Sequence, residues 1–327
     1  MSVKSASLKS YILRRVLQSI PLIFAVIIFN FIIIHLAPSD PAVLLAGEFT
    51  TPEWLEKTRN YFGLTKPLHE QLTIYVFNVV RGDFGYSFYH MQPVMDVIIA
   101  RVPVTLLLMV TQLVFASIAG ILLGAISARK PYSFTDNASS AVALVGWSVP
   151  SFWLGMMFIM FFSLQLGWFP VQGVVTLREE LTGLPYVLDV LHHLTLPAFT
   201  LSLWTLAIVF RQTRASVMEQ LWQDYIVTAR SKGLSEKTIV FKHALKNASI
   251  PVITVVSFMV GWMFAGAILV ETVFAWPGLG RLIFEAIITR DYPLIMGMVI
   301  IVSVIVIIVN IITDIIYSLI DPRIRYR

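Results

Sequence analysis

The 327-residue chain has no cysteine, which excludes disulfides, thiolate metal sites and a Cys nucleophile while leaving the redox compartment open. Charge is scarce too, at 13% against 57% hydrophobic residues, a balance outside that of soluble globular domains. Two chemical motifs are missing. There is no GxxxxGK[ST] run, nor even a Gly-Lys dipeptide, so the chain has no P-loop of its own for ATP phosphates. His69 and Glu70 start as a zincin motif would, but Thr73 stands where the second His is needed. His192 and His193 also lack zincin spacing and read as solvated or capping groups of an external loop.

What is present is apolar length. Stretches of about 20 apolar residues each suffice to cross a bilayer, and six are found, near 15–37, 102–128, 138–166, 194–214, 251–273 and 294–319. The chain therefore reads as an all-α integral membrane protein of six spans. The opening run, with Lys4, Lys9, Arg14 and Arg15 before Val16 to Ala37, has the charge order of a signal peptide. Its apolar core is too long and no A-x-A site follows, so it reads as an uncleaved first span. The net charge of +5 points to orientation in a bilayer and not to nucleic acid, because the basic residues gather at the ends of apolar runs. Of the 24 Lys and Arg, two thirds fall in the termini and the two loops that share their side. This predicts cytoplasmic N and C termini: segment 1–14, span 15–37, an extracytoplasmic cap 38–101, a core 102–319 with a cytoplasmic loop 215–250, and a tail 320–327.

The cap carries its own helix signals. Thr51 is a candidate N-cap with Pro52 at the first helical position and Glu53 in the first turn, and Gly63 closes that helix. From Pro67, Leu68, Leu72, Tyr75, Val76 and Val79 recur at helical spacing, and Gly82 is placed to end the run. A lid over the bundle and a docking surface for an external partner fit this pattern equally.

Span two carries Ala116, Gly120, Gly124 and Ala128, a small residue at every fourth position. Such a ladder allows close backbone approach, which matters where lipid supplies no hydrophobic drive for helix association. The partner helix, in this chain or another, is not identified by the ladder. Trp147, Trp153, Trp168 and Trp276 lie near span ends and read as interfacial anchors. The turn Trp276 to Gly280, followed by an amphipathic run from Arg281 to Thr289, reads as a lid or re-entrant element. Asn310 and Asp314 sit one helical turn apart near the cytoplasmic end of the last span, with Arg323 and Arg325 beyond, and read as a helix-end group. Arg211 and Arg214 read as snorkelling boundary residues. Thr111, Gln112, Ser257 and Asn310 are the polar candidates for a pathway lining.

The informative loop is DYIVTARSKGLSEKTIVFKHALKNASIP, Asp224 to Pro251. Ala215 to Lys232 has the helix formers for one helix, Gly233 the freedom for a turn, and Ser235 can cap a second helix to about Asn247. Pro251 is placed in the first turn of the next span. A helix, a turn and a helix held between two spans suit the transmission of a push from a soluble partner.

The pattern Asp224, Tyr225, Thr228, Ala229, Arg230, Lys232, Gly233, His243, Ala244, Asn247 and Pro251 resembles the peptide-branch form of the loop by which ABC-importer permeases engage their ATPase subunits. The general form begins Glu-Ala-Ala, with its glycine four residues after the second Ala. Here Val227 and Thr228 replace the Glu and first Ala, and the later Pro is displaced. The resemblance is therefore to the dipeptide, oligopeptide and nickel subfamily. YILRRVLQSIPLIFAVIIFNFIIIHLAPSDPA, FGLTKPLHEQ, VVRGDFGYS, ETVFAWPGLGRL, RDYP and NIITDIIYSLIDPRIRY extend it along nearly the whole chain. All six are similar to the first of the two permeases of such importers.

The resemblance implies a prokaryotic inner-membrane complex. An extracytoplasmic binding protein delivers substrate to a pathway between this chain and a homologous second permease. Two cytoplasmic ATPase subunits drive it, with Gly233, Lys232, Leu234 and Ser235 in the ATPase groove and Asp224, Tyr225, Ala229 and Arg230 beside it. ATP and Mg belong to those partners, and no cofactor is expected in this chain. Family members move dipeptides, oligopeptides, nickel chelates, glutathione or oligosaccharides, and no cluster in a span selects among them. The alternative is an ion-coupled secondary carrier. Such carriers place ionisable or broken-helix elements near the midplane, and no Asp, Glu, Lys or Arg lies near the centre of a predicted span.

Overall fold

The computed structural model describes residues 8–36, 41–46, 51–176 and 181–320. They fall into two compact units, residues up to 104 with 278–315, and residues 105–277 with a short piece of the last helix. The termini beyond 8 and 320, with Arg323 and Arg325, lie outside the described residues.

In the first unit, α1 (Leu8–Leu36) is a long apolar helix with little of its surface buried. Short α2 (Pro41–Ala46) precedes α3 (Pro52–Phe62) and α4 (Leu68–Val80). Thr51 caps α3 by accepting from the Trp54 amide at 3.3 Å. Gly63 closes α3 at φ 61°, with Gly63 N donating to Asn60 O and Leu64 N to Arg59 O. That pair of bonds satisfies carbonyls the helix would otherwise leave orphaned, and the left-handed φ suits glycine. A two-residue hairpin, β1 (Tyr86–Ser87) with β2 (Gln92–Pro93), follows. Its residues give no alternating apolar pattern long enough to read in advance. The core joins Ile27, Tyr75, Val79 and Ile300. Beside it, His35 bridges to the Gln71 side chain at 2.9 Å, and Gln71 donates to Leu64 O and Lys66 O.

Helix α12 (Leu279–Ile288) leads to α13 (Tyr292–Ile320). Buried Asp291 starts α13, accepting from the Leu294 amide at 3.2 Å and from Ser87 Oγ at 2.5 Å. It thus ties the hairpin to a helix start, where an anion is favoured. Asn310 is exposed on α13.

Helix α5 (Val94–Arg129) enters the second unit at residue 105. There α6 (Phe134–Ser148) is followed by α7 (Ser151–Phe158), which continues through a π-helical turn, 159–165. The third predicted span, 138–166, is corrected here. It is not one straight helix but two segments bent by 108° at Val149–Pro150. Pro150 lacks an N–H and pushes Val149 out of the helical region, to φ −91° and ψ 129°. Among the described residues, five helices are long and apolar enough to cross a membrane, six if the bent pair makes one span.

Helix α8 (Leu184–Leu221) is the hub of this unit, with 67% of its apolar window buried against 17–28% for the other long apolar helices. The cytoplasmic-loop helix predicted over 215–232 is likewise corrected. Helix α8 runs on to Leu221, the chain breaks at Trp222 and Gln223, and α9 (Asp224–Ser231) begins anew. After Gly233, α10 (Glu236–Thr238), a π-helical turn 239–244 and α11 (Leu245–Val273) form one uninterrupted helical run. Pro251 therefore lies inside α11, not in its first turn. Helix N-termini in a membrane are costly unless covered, so extending the run to the Ser235 cap avoids a second set of orphan amides.

Three further expectations change. Trp276 is no interfacial anchor, being fully buried, with its amide donating to Glu271 O at 2.8 Å. Trp147, Trp153 and Trp168 are exposed. Arg214 does not snorkel but holds buried Asp136 in a bidentate pair, Nε to Oδ1 at 2.6 Å and Nη2 to Oδ2 at 2.7 Å. His193 is buried, not solvated, with Nδ1 donating to Asp189 O at 2.9 Å, while His192 donates to Trp168 O at 2.8 Å.

Candidate functional site

Helix α9 is short and would not persist alone. It is held by packing: Ile226 and Ala229 join Val217 of α8, Ala125 and Ala128 of α5, and Ile239, Val240, Ala244 and Ala248 in one buried cluster. Tyr225 packs on that cluster and its phenol donates to Gln220 Oε1 at 2.9 Å. The small residues matter here, since five alanines line the contact and let four helical segments meet.

Gly233 ends α9 at φ 74°. Gly233 N donates to Arg230 O at 2.9 Å and Leu234 N to Ala229 O at 3.4 Å, the same double closure as at Gly63. Ser235 then caps the next run, its Oγ accepting from the Thr238 amide at 3.3 Å. Arg230 spans the turn to Glu236 at 2.9 Å. The outward surface of the segment consists of Asp224, Val227, Thr228 and Arg230 through Ser235. Trp222, at the break, is 85% exposed. A Cβ on Gly233 would meet nothing within 4 Å, so the residue stands open to an approaching backbone.

The segment is thus clamped from inside and bare on the outside. From the sequence, Trp222 has no assigned role and Val227 stands only as a departure from the general loop form; the signal lay in apolar side chains at the break and on the outer face of α9. The eight predicted residues divide accordingly. Ala229 is buried and Tyr225 half-buried, whereas Asp224, Arg230, Lys232, Gly233, Leu234 and Ser235 are exposed.

Ala116, Gly120, Gly124 and Ala128 are all buried, and the middle pair faces α8 of the same chain. A Cβ on Gly120 would lie 2.9 Å from Val209 Cβ, and one on Gly124 2.7 Å from Thr213 Cβ and 2.8 Å from Phe210 O. The ladder therefore brings α5 onto the hub helix that leads to α9.

A second feature sits at the bend between α6 and α7, a cavity of about 330 Å³ whose described lining has no charged side chain. Gln112, one of the polar pathway candidates, lines it. Trp147 and Trp204 stack beside it, 5.6 Å apart and 8° from parallel. Ser257 and Thr111 are half-buried and do not line this cavity.

Two family models match. Residues 120–326 match the binding-protein-dependent transport system inner membrane component, and residues 8–109 the N-terminal part of such a membrane component. The chain belongs to this family. It is a multi-pass permease subunit. It is similar to the oligopeptide transport system permease protein AppB of Bacillus subtilis (strain 168), 41% identical over 318 residues, 97% of this chain and 99% of the relative. The di/tripeptide transport system permease protein DppB of Pseudomonas aeruginosa (strain UCBPP-PA14) is 40% identical over 333 residues, again 97% and 99% of the two chains. The glutathione transport system permease protein GsiC of Escherichia coli (strain K12) is 40% identical over 318 residues, with the same coverage. An inward-facing structure of the MetNI methionine ABC transporter shares the fold, with a TM-score of 0.52 at 16% identity over 69% of this chain and 97% of that one.

Proposed function

We propose that this permease is one of two membrane subunits of an importer for short peptides, fed by an extracytoplasmic binding protein and driven by two cytoplasmic ATPase subunits. It resides in the inner membrane of a prokaryote with both termini in the cytoplasm. ATP and Mg are bound by the ATPases, and the segment Asp224–Ser235 receives their motion. The observation that carries this reading is the lever itself, anchored by Ile226 and Ala229 yet open at Gly233, Leu234, Val227 and Trp222. Peptide as the substrate class is supported by the names of relatives at 40–41% identity over nearly full length.

The test is Gly233→Asp. Nothing lies within 4 Å of the added Cβ, so the free permease keeps its helices. At φ 74° the strain is about 1 kcal/mol. Where a partner's backbone must approach, the carboxylate blocks it. The expected result is normal insertion, with loss of ATPase recruitment and of ATP-driven uptake. Unchanged recruitment and uptake refute the assignment of the lever.

A further inference from the structure

We infer that the cavity at the α6–α7 bend is a binding subsite for the C-terminal end of a peptide, reading its carboxylate and the adjacent main-chain amide. This rests on the importer reading above and adds where, within this subunit, the cargo is held.

Three observations meet there. First, Gln112 lines the cavity and is 2% exposed, and its Oε1 is buried without a hydrogen-bond partner. A buried acceptor left unpaired is costly, and an N–H donor from a ligand relieves it. Second, Ser151 begins α7 at the cavity, and Pro150 supplies no side-chain cap. The first intrahelical bond of α7 is Leu154 N to Pro150 O, at 3.1 Å. The amides of the first turn thus precede the helix's own bonding and carry the positive end of its dipole, an arrangement that accepts an anion without a cationic side chain. Third, the helix is broken where it lies between apolar segments. Irregular backbone at membrane depth is tolerated where it lines a cavity or is covered by protein, and a break of this kind presents half-helix ends to a transported solute.

The ligand chemistry follows from the pattern. An acceptor in Gln112 and unbonded donors at the α7 start match an N–H followed by a carboxylate, which is the end of a peptide chain. The lack of charged lining excludes a site built for a side-chain ion. The Trp147–Trp204 stack offers an apolar shelf for the residue side chain without selecting its identity. Ser148, Ser151, Thr200 and Thr205 also line the cavity, Thr200 spending its hydroxyl on Leu196 O at 2.7 Å, but of these side chains Gln112 is the one with a buried acceptor left unpaired, which places it to read the amide.

The chain has no cysteine, so Ser151→Cys gives it one thiol, at the cavity. In membrane vesicles holding the whole transporter, maleimide labelling of this thiol is followed with a mixed di- and tripeptide pool that includes glutathione, and with the same pool after methyl esterification. The free-acid pool is expected to slow labelling at least threefold and the esterified pool not to. Gln112→Leu is expected to raise the KM for uptake of the free-acid pool about tenfold while leaving ATPase recruitment unchanged. Protection by neither pool, or equal protection by both, overturns the subsite. So does an unaltered KM in Gln112→Leu. Failure of the importer reading is separable, because wild-type vesicles would then show no ATP-dependent uptake of either pool.

Discussion

Gly124→Ala adds a single methyl group where α5 packs tightly against α8. The new Cβ would stand 2.7 Å from Thr213 Cβ, 2.8 Å from Phe210 O and 3.0 Å from Arg214 N. Carbon contacts settle near 3.5–4.0 Å, so the helices must part locally by about 1 Å. Two of the three obstructing atoms are backbone, which no rotamer change can remove. A gap of that size forfeits a quarter to a half of each dispersion contact along the seam, and overpacking of this kind costs about 1–3 kcal/mol. That corresponds to roughly a 5- to 150-fold rise in the unfolded fraction. In detergent, a lower melting temperature is expected, together with weaker ATPase recruitment, because α8 carries the contacts that hold α9. The control is Ile126→Ala on the exposed side of α5, 44% exposed, expected to change stability by no more than about 0.5 kcal/mol. If Gly124→Ala melts with the wild type, the glycine is not needed for close approach and the packing argument fails.

Other perturbations separate the remaining parts. Asp136→Ala leaves Arg214 facing a buried void and is expected to destabilise by about 3–5 kcal/mol, whereas the double change Asp136→Leu, Arg214→Met restores most of it; a double-mutant cycle in detergent unfolding measures this, and additive losses would mean the pair is not coupled. Trp222→Ala is expected to weaken ATPase recruitment by about 2 kcal/mol, near 30-fold, if the exposed indole is an anchor of that contact; titration of the purified ATPase reports it, and an unchanged affinity removes Trp222 from the interface. In the segment before α5, burial and the hydrogen-bonded Asp83 carboxylate push the Tyr61 phenol above its ordinary range. Its folded pKa is raised, so its contribution is fully present below the unfolded value near pH 10 and is lost as pH rises through the folded one. Tyr61→Phe should flatten the alkaline limb of the stability profile, and an identical limb in both proteins would refute the link.

Much of this architecture was legible before any coordinates. Apolar length identifies a multi-span membrane protein because the bilayer imposes that length on sequence directly. Thr51, Gly63, Gly233 and Ser235 were readable because caps and left-handed turns are local devices whose side chain or missing Cβ acts within three residues. The loop from Asp224 to Pro251 carried its family resemblance in a contiguous pattern.

What only the tertiary structure decided depends on neighbours distant in the chain. Arg214 near the end of an apolar run looks like a boundary residue until Asp136, 78 positions away, is placed against it. Trp276 has the amphipathic ring of an anchor, and burial makes it core. The 108° bend at Pro150 splits what composition alone presents as one span, because hydropathy measures transfer from water and is blind to direction. Gln112 was one polar residue among several until the fold set it, unpaired, in the wall of a cavity. Helix rotation and pairing are settled by packing between helices, and a single helix sequence leaves them free.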